Sequence, residues 1–288
     1  MATKPLIKKE IITAYRGKTF HTSSGLQINS QKEAINFVNG RGFVFFWPIS
    51  NIKMPSLWCA TAGDRPVPNN HDDPGHITWR WKDDLIGKKK WYYAKVLRRK
   101  STIISLDMIP NFFALSSSVH DRLEEVLFHY RKGSLSTEEK LIYQQIIEDG
   151  PLDSITLKKN MADSFSKNSS RVSRALDLLQ HEFRIIPSGI SQKGRWKYAY
   201  IYQVVFREFP ELIEKSNHIT KKEAALAILR SYFCSNGIGS INDLMKLFGW
   251  KKETIVDLAT FLISNKELMK AVPYWDKNEE IYSIPSLV

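Results

Sequence analysis

The run SKNSSRVSRALDLLQHEF, residues 166–183, sets Val172, Ala175, Leu176 and Leu179 at i, i+3, i+4 and i+7, one apolar stripe at helical period. Arg171 and Arg174 fall off that stripe, so a helix that buries Leu176 keeps both cations at its surface. Upstream, Ser136 and Glu139 carry the capping-box spacing and open a helix through Ile147 that stops at Gly150-Pro151. A shorter helix is predicted from about Ser154 to Met161. Downstream, FRIIP reads as a strand, Gly189 and Gly194 mark a loop, and RWKYAYIYQV reads as a second strand. Three helices, a strand, a glycine loop and a strand is the order of a winged helix, whose third helix reads a DNA groove.

The order recurs near the C-terminus. Thr220 and Glu223 repeat the capping signal, Gly237 and Gly239 end that helix, and Ser240 starts a short one to Phe248. KKETIVDLATFLISNKEL then turns Ile255, Leu258, Ala259 and Leu262 inward, and LMKAVPYW and IYSIP flank the turn DKNEE as a hairpin. Residues 1–135 are expected to be a third, winged-helix-like unit. There, a helix from about Ser30 to Val38 precedes the strand FVFFWPI, and helices are expected near Asp107–Leu115 and Ser118–Tyr130. The predicted class is mainly α with small β wings, as tandem winged-helix domains over 1–135, 136–210 and 218–288.

A fold of this kind needs a partner, and charge narrows the choice. Lysine and arginine exceed aspartate and glutamate by 12, a balance that points to nucleic acid. The segment WRWKDDLIGKKKWYYAKVLRRK, residues 79–100, concentrates the excess. Arg80, Lys82, Lys88, Lys89, Lys90, Arg98 and Arg99 are candidate phosphate contacts there. Trp79 and Trp81 are candidates to stack on bases, with burial as the competing reading. On the middle unit, Lys167, Asn168, Ser170, Arg171 and Arg174 form the expected recognition surface, and Lys193, Arg195 and Lys197 the expected basic wing.

Other chemistries lack their signatures. Cys59 and Cys234 stand far apart, as in a reduced intracellular protein. HDDPGH, residues 71–76, offers His71, Asp73 and His76, but its proline and glycine make a turn the stronger reading than a metal site. The phosphate-cradling and dinucleotide glycine motifs are absent, so no cofactor is expected. No apolar run is long enough to span a membrane, and MATKPLIKKE lacks a secretory signal's apolar stretch, so the expected location is the cytoplasm.

GFVFFWPISNIKMPSLW with HDDPGHITWRWKDDL, KVLRRKSTIISLDMIPNFFALS, IEDGPLDSITLKKNM and EAALAILRSYFCSNGIGSINDLMKLFGW, in that order, resemble the winged-helix DNA glycosylase family typified by AlkZ and YcaQ. The resemblance is closest to its divergent AlkZ-related branch. It implies tandem winged helices around double-stranded DNA, intact or damaged. In active members it implies hydrolysis of the bond between an alkylated or cross-linked base and its sugar. The family's water-positioning pair, Gln-x-Gln or Gln-x-Asp on the first strand, falls here on Phe45 and Trp47, and a histidine usual in the family has no counterpart in RRKSTIISL. Phe45 and Trp47 are then either core or an aromatic surface that stacks on a base. Three functions follow: DNA binding without the family's excision chemistry; an active glycosylase that orients water with Asp72, Asp73, Asp83 or Asp84; and a transcriptional regulator that uses the same surfaces.

Overall fold

The computed structural model describes residues 4–70, 72–120, 122–162, 169–195, 197–276 and 279–288. The chain divides into two compact units, one of residues 1–79 with 222–288 and one of residues 80–221. The segment 136–210 lies whole inside the second unit, whereas the first 135 residues are shared between the two. The architecture is mainly helical with small sheets. No helix among the described residues is long and apolar enough to cross a membrane.

In the unit of residues 80–221, the capping box forms as the sequence predicts. Ser136 Oγ accepts the Glu139 N–H at 3.2 Å and the Glu139 carboxylate accepts the Ser136 N–H at 2.9 Å, opening helix Thr137–Asp149. Helices Ser154–Ala162 and Ser169–His181 follow, then antiparallel strands Ile185–Ser191 and Ala199–Val204. A two-residue strand, Leu152–Asp153, adds to the outer edge of the second of these. The stripe of Val172, Ala175, Leu176 and Leu179 is buried against Ile142, Tyr143, Ile146 and Tyr202. Strands Tyr92–Lys95 and Ser101–Ile104 pair as an antiparallel hairpin. The helix expected over Ser118–Tyr130 is instead a tight turn, Ser118–His120, and a helix, Leu123–Arg131.

In the other unit, helices Lys221–Asn236, Ile241–Phe248 and Lys252–Ser264 precede the hairpin of Met269–Pro273 and Ile281–Ser283. Ile238–Gly239 extends that sheet on one side. Leu6–Ile7 extends it on the other, parallel to Met269–Pro273, so the N-terminal strand completes a sheet built by the C-terminus. Ile7, Ile12, Ile238, Ala271, Ile281 and Leu287 close the core around it. Ser30 caps helix Gln31–Arg41, and Gly42 at φ 75° turns the chain into strand Phe43–Phe45.

Candidate nucleic-acid interface

The strand Phe43–Phe45 is buried throughout, and Phe45 is 1% exposed. Its N–H donates to the Pro55 carbonyl at 3.0 Å, and the Trp58 N–H donates to the Phe46 carbonyl at 3.1 Å, stitching the strand to the segment that follows. Phe45 is core. Trp47 is half-buried and lies in an aromatic nest, with ring centroids 4.8 Å from Phe46, 5.9 Å from His76, 5.8 Å from Trp79 and 6.3 Å from Trp58. Trp79 is 39% exposed and offers a face for stacking.

The proline-rich loop of residues 63–76 contributes structure to this nest. Asp73 Oδ1 accepts the Gly75 N–H at 2.8 Å and an Arg65 Nη2–H at 2.6 Å, while Arg65 lies over the Trp58 ring at 4.9 Å. The hydrogen bond from Arg65 holds the Asp73 carboxyl below the usual carboxylate range. Asp73 is thus committed to the turn, and Asp72 beside it is exposed. His71 lies outside the described residues, and no metal-binding cluster of histidine, cysteine and carboxylates forms among those described.

Helix Ile77–Leu85 corrects two expectations. Thr78, Trp81, Lys82 and Leu85 are buried, the i, i+3, i+4 and i+7 positions of an inward stripe. Trp81, at 7% exposure, has no face to offer a base, and Lys82, at 1%, cannot reach a phosphate. Lys82 instead anchors a network within the second unit. Its Nζ donates to Tyr200 at 2.6 Å, to Tyr198 at 3.0 Å and to Asp83 Oδ1 at 2.7 Å, and stands 5.0 to 5.6 Å from the rings of Tyr200, Tyr93 and Tyr198. Burial lowers the lysine's pKa, against the opposing pull of Asp83. Tyr198 also donates to Asp83 Oδ1, at 2.9 Å. The stripe position of Lys82 was a readable signal of its burial; its tyrosine partners, 116 and 118 residues away, were not.

The other basic candidates of this unit that lie among the described residues are at the surface. Lys88, Lys89 and Lys90 follow Gly87, whose φ of 76° suits glycine and whose added Cβ would strike the Ser188 carbonyl. Arg98 and Arg99 form the exposed tip between the two strands of the hairpin, both at positive φ. Arg80 is exposed and lies 3.9 Å from Asp84. Ser170, Arg171 and Arg174 project from helix Ser169–His181, and Arg171 approaches Glu138 at 3.6 Å. Lys167 and Asn168 lie outside the described residues. Arg195 and Lys197 are exposed, but Lys193 is engaged, donating to Asp153 at 2.8 Å and to Thr156 at 3.1 Å. Asp153 also accepts the Ile155 and Thr156 N–H groups and so caps helix Ser154–Ala162. Burial alone would raise its carboxyl, but hydrogen bonds from Lys193 and Thr156 draw it down to about 2.

The model of the AlkZ-related family matches residues 28–247. Among solved structures, the Streptomyces sahachiroi DNA glycosylase AlkZ is similar, with a TM-score of 0.56 and 12% identity over 96% of this chain and 69% of that one. At that identity the likeness is one of fold. No curated protein matches.

Proposed function

This chain belongs to the AlkZ-related family, and from that premise we propose that it is a glycosylase-like DNA-repair protein that binds duplex DNA without excising bases by the family's first-strand route. Duplex contact falls to Arg171 and Arg174 on helix Ser169–His181 and to Arg195 and Lys197 on the ribbon beyond it. Lys88, Lys89, Lys90, Arg98 and Arg99 add phosphate contacts by counterion release. The observation that carries the reading is at Phe45 and Trp47. A hydrolytic glycosylase must position a water and stabilise a cationic sugar. A buried phenyl and an indole ringed by aromatics supply no acceptor lone pair for that water.

The test pairs binding with excision on duplexes that are unmodified, contain 7-methylguanine, or carry a cross-linked guanine. Duplex binding with no release of base is expected for all three. Absence of duplex binding would overturn the proposal.

Asp83 supports a second reading. Lys82 and Tyr198 both occupy Oδ1, and Oδ2 makes no hydrogen bond among the described residues, so it is open to a water. Base release by the unmodified protein that Asp83→Asn abolishes would establish this enzyme and displace the first reading.

A further inference from the structure

The loop that leaves Trp47 turns at Asn51, whose φ of 62° is a conformation asparagine tolerates. It brings Asn51 and Lys53 to a cavity of about 250 Å³ that Arg16, Lys246, Tyr274 and Trp275 also line. Every one of these residues belongs to the unit of residues 1–79 and 222–288.

The cations here exceed their counter-charge. Arg16 is half-buried, and its Nε–H donates to the Asn236 carbonyl at 3.1 Å, the one side-chain hydrogen bond it makes among the described residues. The rest of the guanidinium has donors to spare, since arginine carries five. Lys53 and Lys246 are exposed and form no ion pair among the described residues. The carboxylate lining the cavity, Asp243, already accepts the N–H and the hydroxyl of Ser240 at the start of helix Ile241–Phe248.

The aromatic pair is not spent on the core. Tyr274 is 42% exposed and Trp275 50%, with centroids 5.0 Å apart at 86°. The Trp275 Nε1–H donates to Glu279 at 2.7 Å, which fixes the indole and leaves less rotamer entropy to lose on stacking. The volume is under the roughly 300–1,000 Å³ of sites that enclose a whole small ligand. It suits one unit of a longer ligand whose neighbours lie outside.

We propose that this cavity binds one unpaired nucleotide of a single strand, its base against Trp275 and Tyr274 and its phosphates among Arg16, Lys53 and Lys246. An acidic peptide would meet the same cations, but two exposed rings beside them match a base's planar face. The site shares no residue with the duplex surface and does not depend on it.

The probe is a labelled ten-nucleotide oligothymidylate, read by fluorescence anisotropy against the full chain across a salt series. Binding is expected, with displacement by excess thymidine 5′-monophosphate. Trp275→Ala, at an exposed position, is expected to weaken it about tenfold or more. Lys53→Ala with Lys246→Ala is expected to lower the salt slope by about 1.4, the share of two single-strand phosphate contacts. Affinity and slope both unchanged in variants with native circular dichroism would overturn the proposal, as would tighter binding of a glutamate-rich peptide through the same residues. Duplex binding measured in parallel separates the two readings: its loss with oligothymidylate binding kept counts only against the duplex surface.

Discussion

Helices Ser169–His181 and Lys252–Ser264 bury the same pattern and expose different chemistry. Each is the third helix of a three-helix run that ends in an antiparallel hairpin. Val172, Ala175, Leu176 and Leu179 in one correspond in spacing to Ile255, Leu258, Ala259 and Leu262 in the other, and all eight are buried. Counting from those stripes, Arg171 stands where the other helix has Thr254, and Arg174 where it has Asp257. One surface gathers cations and the other carries an acid. Packing therefore fixes the shared architecture, while a few exposed positions decide whether a helix can approach phosphate.

The largest expected effect tests the shared half of that comparison. Leu179→Ala and Leu262→Ala each remove a wholly or nearly wholly buried side chain, and each should cost roughly 2–5 kcal/mol in denaturant unfolding. A cost under about 1 kcal/mol at either position would mean that the two stripes are not equivalent. Next in size is the exposed half. Arg171→Ala with Arg174→Ala should weaken duplex binding roughly tenfold and lower the salt slope by about 1.8, the share of two duplex phosphate contacts. Thr254→Ala with Asp257→Ala should leave the slope where it was. A slope indifferent to the arginines, in a folded variant, would erase the functional difference between the helices.

Both stripes were legible in the sequence because helical period is a local property, and the Ser136–Glu139 cap was legible because its partners are three residues apart. What escaped is long-range. The strand Leu6–Ile7 is two residues long and pairs with Met269–Pro273, which no local pattern can announce. The cavity beside Lys53 draws on Arg16, Lys246 and Trp275, distant in the chain and each ordinary in its own context. Lys82 departs from expectation for a different reason. Its charge suggested solvent, while its place on a helical stripe with Trp81 and Leu85 argued for burial, and the stripe prevailed because Asp83 and two tyrosine hydroxyls satisfy the ammonium. At Phe45 and Trp47 two alternatives stood open, and burial separates them: Phe45 is core, and Trp47 keeps a partly open face.

The smallest expected effect lies one helix earlier, where the two runs are capped by different means. Ser240 and Asp243 close a capping box at helix Ile241–Phe248, whereas Asp153 caps helix Ser154–Ala162 and is itself held by Lys193. With its carboxyl near 2 in the fold against roughly 3.9 in an unfolded chain, Asp153 binds its proton less readily when folded. The stability it contributes is therefore present above about pH 4 and is lost as the pH falls through about 2. Lys193→Ala removes a cation whose side chain is 61% exposed, so solvent screening limits its worth to about 1 kcal/mol. Without that ammonium the folded carboxyl moves up toward its unfolded value. The variant should then be less stable than the parent at pH 5 and converge on it near pH 2, as read by denaturant midpoints across that range. A constant difference at every pH would show that Lys193 acts by packing its stem and not through the charge on Asp153.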